Sequence, residues 1–253
     1  MEFFDDFNFD LSPLAIRYGQ SQETIDFMKI AEIEDEGQRN KIVDELVDKL
    51  IEDKENTGFF GFDDSICINA LLNCRFKIDD REIYYEYFKN LAKNKDKIPE
   101  KTTGVLCLYT IAETVIKYFG EFNGDQRRRH DLTSTYYDED DNFVVPSIKI
   151  LKNQNASSCI EYAAVSHNLW LLTGVKSYFI VSKDTIFKNK NNFDGHAFNI
   201  VEYGGKFKLF DIANDVTCVF KFDPIKNLKN EKPLVIGNSV YANARFLPKR
   251  ERE

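Results

Sequence analysis

The chain has 253 residues, 43% of them hydrophobic, which suffices for a substantial buried core in one domain or in two small ones. Its 34 basic and 42 acidic residues give a net charge of -8, and this acidity argues against nucleic acid as a partner. The first residues are acidic, unlike a secretory signal, and no apolar run approaches the ~20 residues of a membrane-spanning helix. We therefore expect a cytoplasmic protein that binds neither nucleic acid nor a membrane.

The five cysteines give no sign of a disulfide framework. None forms a CxxC pair or has zinc-ligand spacing, so we expect neither a structural metal nor a cofactor. A small buried core residue is the usual role of an intracellular cysteine. We interpret four of the cysteines in this way: Cys67, Cys74, Cys107 and Cys218.

Residues 1–120 are predicted to form a helical N-terminal region. Apolar residues recur with helical period over residues 38–56, with charged residues on the opposite face. Weaker helical patterns follow at residues 66–74, 84–91 and 105–119. We expect these helices to pack together as a layer or a small bundle.

Residues 121–253 are predicted to form a second unit of mixed character. A charged loop leads to a short strand within residues 143–151, with Pro146 at its edge. Four further strands are predicted from alternating runs at residues 177–181, 196–203, 206–211 and 217–222. The predicted fold class is therefore α+β, with an antiparallel sheet packed on a buried helix.

That buried helix is predicted to begin at Cys159. Ser158, followed three residues later by Glu161, has the form of a capping box, and Gly174 is well placed to end the helix. The positive end of the helix dipole and the unpaired N–H groups of its first turn favour a thiolate over a thiol. Cys159 is therefore a candidate nucleophile.

A predicted hairpin places a histidine and an aspartate side by side. Gly204 and Gly205 suit a two-residue turn, which fixes the register of the two strands. The expected pairs are Tyr203 with Lys206, Glu202 with Phe207, Ile200 with Leu209, and Phe198 with Asp211. His196 and Asp211 then become diagonal neighbours on one face, about 7–8 Å apart at the backbone and within hydrogen-bonding reach.

These residues together match the composition of a catalytic triad. Cys159 supplies a nucleophile, His196 a base, and Asp211 a group that orients the base. Without the cysteine, a buried His196–Asp211 pair that serves only the fold would explain the hairpin equally well.

The same residues resemble the transglutaminase-like superfamily, which is related to papain. The resemblance lies in Cys159-Ile-Glu-Tyr-Ala163, His196-Ala-Phe198 and Phe207-Lys-Leu-Phe-Asp211, and it extends over residues 145–215. It implies a papain-like core and a Cys-His-Asp triad that acts through a thioester, with a bacterial-type member as the nearest kind. Ser158 stands where glycine is commoner in the family, and Ile160 also departs from the usual pattern.

The leading functional hypothesis is a cysteine-dependent peptidase or amidase acting on a protein or peptide. One alternative is a protein-glutamine transglutaminase or deamidase, and another is a non-catalytic protein-binding module on the same fold. The backbone N–H of Cys159 and the side chain of Gln154 are the candidate oxyanion donors, the latter by analogy with papain-like sites. Asn153 or Asn155 could replace Gln154 in that role.

Overall fold

The computed structural model describes residues 14–18, 21–25, 27–57, 80–95, 103–120, 148–153, 157–173, 175–186, 194–203, 205–230, 232–236 and 239–246. The fold class is α+β, as predicted, with a mostly helical first part and an antiparallel sheet in the second. Within the described ranges, no helix is both long enough and apolar enough to cross a membrane.

The first part contains four described helices: α1 (Phe27–Ala31), α2 (Glu36–Thr57), α3 (Glu82–Lys95) and α4 (Thr103–Phe119). The helices predicted at residues 38–56, 84–91 and 105–119 are confirmed, whereas residues 66–74 lie outside the described ranges. An antiparallel hairpin of β1 (Leu14–Tyr18) and β2 (Ser21–Ile25) precedes them and was not predicted. Its strands have five residues each, and the second is mostly polar, so the alternation signal is weak.

Buried polar contacts join α3 to α4. Asn90 donates to Thr114 Oγ1 at 3.1 Å, and one turn later Asn94 donates to Glu113 Oε2 at 2.6 Å. Because buried amides are costly to leave unpaired, these bonds fix how the two helices pack on each other.

The second part begins with α5 (Ile148–Asn153) and α6 (Cys159–Leu172). The short strand predicted within residues 143–151 is wrong from Ile148 onward, because those residues form α5. Ile148 and Leu151 are three residues apart, a spacing that fits a helix, and a short apolar run does not separate the two structures by period alone. The rest of that predicted strand lies outside the described ranges.

The sheet that follows has six antiparallel strands in the order β6-β5-β4-β3-β8-β7. Their ranges are β3 Lys176–Ile186, β4 Asp194–Tyr203, β5 Lys206–Asp211, β6 Val216–Phe220, β7 Leu234–Ile236 and β8 Ser239–Phe246. Helix α7 (Pro224–Lys229) separates β6 from β7. The four predicted strands correspond to β3–β6, whereas β7 and β8 were not predicted.

The predicted register of the hairpin formed by β4 and β5 is confirmed for three of its four pairs. Tyr203 pairs with Lys206, Glu202 with Phe207, and Ile200 with Leu209, whereas the ladder does not include Phe198 with Asp211. Gly205 has φ +73°, a backbone conformation that glycine adopts without strain and that primed hairpin turns require.

Helix α6 is buried along its whole length between the sheet and α4. On the sheet side, Trp170 packs edge-on against Phe210 of β5, with ring centroids 5.3 Å apart. On the other side, Tyr162 stacks on Phe119 of α4 and donates to the carbonyl of Gly120 at 2.6 Å. The described residues on both sides of position 120 thus share one core, and the predicted division into 1–120 and 121–253 stays a prediction.

A buried hydrogen bond between Asn168 of α6 and Tyr84 of α3 gives a first testable expectation. Asn168 Nδ2 donates to the Tyr84 hydroxyl at 2.9 Å. We expect Asn168→Ala to lower the free energy of unfolding by about 1–3 kcal/mol, because a buried hydrogen bond is lost and the contacts of the removed side chain go with it. Denaturant unfolding measures this loss, with the exposed Asn230→Ala as control. A change below about 0.5 kcal/mol, typical of surface substitutions, would contradict it.

Candidate active site

Cys159 is the first residue of α6, as predicted, and it is 5% exposed. The preceding Ser158 is extended, with φ -127° and ψ -178°, and it caps the helix. The Glu161 carboxylate reaches back to accept from the Ser158 N–H at 2.6 Å and from its hydroxyl at 2.9 Å. The first N–H groups of a helix have no acceptor within it, so the thiol lies at the positive end of α6.

His196 and Asp211 form the predicted pair. His196 Nε2 lies 2.8 Å from Asp211 Oδ2, and both side chains are buried. His196 is close to the start of β4, while Asp211 is the last residue of β5. The hairpin register therefore places both at the end of the sheet away from the turn.

The side chain of His196 is also hydrogen-bonded to that of Cys159. The structure thus brings together all three residues of the predicted triad. Since Nε2 faces Asp211, Nδ1 is the ring nitrogen left for the thiol. The ring of Phe198 stacks against the imidazole, with centroids 6.0 Å apart and planes 18° from parallel, which limits the orientations of His196.

The electrostatics of the pair favour a charged histidine. Burial acts to lower the pKa of His196, but the charge and hydrogen bond of Asp211, with a further contribution from Cys159, outweigh it and raise the pKa to about 10. At neutral pH the imidazole therefore carries both of its protons. It can donate a proton from Nδ1 while Nε2–H stays bound to Asp211.

Asn214 is a fourth polar residue at the site that the sequence did not reveal. It is the last residue of a short 3-10 helix, Ile212–Asn214, which follows β5 directly. Its Nδ2 lies 3.0 Å from Asp211 Oδ2 and 2.9 Å from His196 Nε2. The sequence signal that could have identified Asn214 is the spacing Asp211-x-x-Asn214, because one 3-10 turn brings residues three positions apart close together.

The other described cysteines differ from Cys159. Cys107 is fully buried in α4, and burial raises the pKa of its thiol to about 12, although a hydrogen bond from Tyr87 acts in the opposite direction. Cys218 is half-buried in β6. The core role predicted for Cys107 is confirmed, whereas Cys67 and Cys74 lie outside the described ranges.

Gln154, the candidate oxyanion donor, also lies outside the described ranges, as does Asn155. Asn153 ends α5 and is exposed. In the part of the chain that the structure describes, no group of three or more His, Cys, Asp or Glu side chains could hold a metal ion. Of the candidate oxyanion donors, the Cys159 N–H and Asn153 are therefore the two whose positions are described.

No protein-family model, curated protein or solved structure matches the chain. The resemblance to transglutaminase-like proteins accordingly depends on the three short motifs of the sequence alone.

Proposed function

We propose that this protein is a cysteine-dependent enzyme that hydrolyses or transfers the acyl group of an amide bond in a protein or peptide. The observation that carries the proposal is the contact of Cys159, at the start of a buried helix, with a His196 ring that Asp211 holds through Nε2. The motifs that resemble the transglutaminase-like superfamily contain these same three residues. We place the activity in the cytoplasm, where thiols stay reduced.

The raised pKa of His196 selects one form of the mechanism. A histidine with a pKa of about 10 is a poor base at neutral pH, so the proposed mechanism does not require His196 to take the thiol proton once substrate has bound. The proposed nucleophile is the Cys159 thiolate, which an adjacent imidazolium and a helix start both favour over the thiol. This form needs no further base for the first step.

In the first half of the reaction, the thiolate attacks the amide carbonyl carbon and forms a tetrahedral adduct. The imidazolium gives its Nδ1 proton to the leaving amine, the C–N bond breaks, and a thioester remains on Cys159. His196 is now neutral and keeps its Nε2 proton on Asp211. The backbone N–H of Cys159 belongs to the first turn of α6, whose N–H groups have no acceptor within the helix, and it is the proposed donor to the developing oxyanion.

In the second half, a water molecule or an amine attacks the thioester carbonyl. Neutral His196 takes a proton from the attacking group at Nδ1, and the C–S bond breaks to regenerate the ion pair. Water gives an acid and therefore hydrolysis, whereas an amine gives a new amide and therefore transfer. Asp211 keeps the ring aligned in both halves.

Alkylation by iodoacetamide tests the proposal without a known substrate. Peptide mass spectrometry would follow each cysteine of the wild-type protein between pH 5 and pH 9.5. We expect the rate at Cys159 to level off and persist below pH 6, because the imidazolium stabilises the thiolate. Half-buried Cys218 serves as the ordinary thiol, and buried Cys107 should stay nearly unreacted.

A rate at Cys159 that falls tenfold for every unit below pH 8, in parallel with Cys218, would mean an ordinary thiol. That result would refute the ion pair and with it the proposed chemistry. Alkylated protein should show no change in its far-UV circular dichroism, which ensures that the rates report the folded state.

A further inference from the structure

Taking the triad proposed above as its basis, we propose that Asn214 is a positioning residue, whose side-chain amide holds the Asp211 carboxylate in the orientation that receives His196. Its Nδ2, Asp211 Oδ2 and His196 Nε2 form a triangle with sides of 3.0, 2.9 and 2.8 Å. Two donors therefore converge on a single carboxylate oxygen.

The tautomer of His196 determines which bond the amide makes. An ionised Asp211 can only accept, so the 2.8 Å contact requires the proton on Nε2. A protonated Nε2 cannot also accept from Asn214. The amide N–H therefore goes to Asp211 Oδ2, and its 2.9 Å approach to Nε2 is a consequence of the shared acceptor.

The backbone that follows Asp211 determines where the side-chain amide of Asn214 lies. The 3-10 helix begins immediately after Asp211 and is capped by Asp215, which has φ 52° and ψ 47° in the left-handed region. Asparagine and aspartate tolerate that region better than most residues. One 3-10 turn then brings Asn214 back over Asp211, and α6 packs against the same turn.

The remaining charges near the imidazole do not replace the amide. Asp211 and Cys159 are the charged partners of His196, and Asp215 is exposed at the far end of the turn. Loss of the Asn214 donor would remove one of the hydrogen bonds that hold Oδ2 and give the carboxylate more freedom to rotate. The imidazole would then lose its fixed orientation toward the thiol.

Two substitutions separate the donor from the packing of Asn214. Asn214→Leu keeps the size and branching of the side chain but removes the donor, and Asn214→Ala removes both. We expect each variant to lower the alkylation rate of Cys159 at pH 6 about threefold, because a tenfold loss of thiolate stability is offset by about a threefold gain in nucleophilicity. Asn230→Ala, on the exposed end of α7, should leave that rate unchanged.

Nitrogen-15 NMR of labelled histidine measures a property that would not change in the variants if Asn214 had only a structural role. The chain has three histidines, so the His196 signals can be assigned with a His196→Gln sample. In the wild type we expect a downfield, exchange-protected Nε2–H of His196 at pH 7, and in both variants its loss to exchange with water. His167, bound through Nδ1 to Ser177 Oγ at 2.9 Å in the core, reports that the fold is intact.

The outcomes distinguish this role from the triad itself. If Asn214→Leu matches the wild type in rate and in the Nε2–H signal, the donor has no positioning role and Asn214 only fills space. If alkylation of Cys159 in the wild type does not persist at acid pH, the proposed triad chemistry is refuted, whatever the role of Asn214. Reduced rates and loss of the Nε2–H signal in both variants, with the His167 signals unchanged, would support the proposal.

Discussion

Replacing His196 with alanine is expected to shift the pH profile of Cys159 alkylation to higher pH. Without the imidazolium, the thiol loses the hydrogen-bonded partner that stabilises its charged form. The thiolate then forms closer to the pH at which ordinary thiols titrate, about 8.5. The midpoint of the rate profile is the quantity to measure.

The rate at one fixed pH is a weaker readout, because two effects oppose each other. At pH 6 an ordinary thiol is about 0.3% thiolate, so a fully ionised thiol supplies about 300 times more of the reactive form. Each unit by which the pKa of a thiol falls also makes its thiolate about threefold less nucleophilic, for a Brønsted coefficient of 0.4–0.5. The net loss in His196→Ala at pH 6 is therefore much smaller than 300-fold.

Above pH 9 the sign should reverse, because the more basic thiolate of the variant reacts faster. The two profiles are thus expected to cross. Asn230→Ala, which changes an exposed residue, should follow the wild type at every pH. Profiles for wild type and His196→Ala that coincide would contradict the pairing of Cys159 with His196.

Turnover of an amide should be far more sensitive than alkylation to the same substitution. Iodoacetamide needs no proton from the protein, whereas the leaving amine of an amide does. General acid–base catalysis by a positioned side chain contributes about 10²–10⁴-fold. Once a substrate is found, His196→Ala should therefore lose two to four orders of magnitude in kcat/KM.

The parts of the site that could be predicted are those that local rules determine. The capping residue Ser158 and its partner Glu161 fixed the start of α6, and the glycine turn fixed the hairpin register. The contact between His196 and Asp211 followed from that register alone. The contact between Cys159 and His196 needed in addition the packing of α6 on the sheet, for which only the resemblance of the motifs gave a hint.

The parts that were missed depend on tertiary context or on weak patterns. Asn214 joins the site because the chain turns tightly after Asp211, and the turn ends at a residue with positive φ that is not glycine. The three-residue strand β7 pairs with β8, which inserts next to β3. A strand of three residues such as β7 has too few positions for a period to be recognised.

Replacing Asp211 with asparagine is expected to reverse the way stability depends on pH. The wild-type fold raises the pKa of His196 from 6.5 to about 10. A raised pKa stabilises the folded state fully below about pH 6.5, and this contribution is lost as the pH rises through 10. A single group can change the free energy of unfolding by at most about 1.4 kcal/mol per pH unit in that window.

In Asp211→Asn the burial of His196 remains but the carboxylate charge is gone, so burial should lower the pKa of His196 below 6.5. The folded state is then destabilised as the pH falls through 6.5, which is the opposite slope. A Cys159→Ser background in both proteins removes the thiolate as a second charge next to the ring. Denaturant unfolding between pH 5 and pH 10 measures the free energies.

The control for this comparison is Asp215→Asn, the same chemical change at an exposed position four residues later, where asparagine also accepts the left-handed backbone. Its stability should parallel that of the background protein at every pH. The gap between the background and Asp211→Asn should be widest at acid pH and should narrow toward pH 10. A constant gap would mean that Asp211 acts on the fold without holding a charge on His196, and the ion-pair mechanism would then lack its source of protonated histidine.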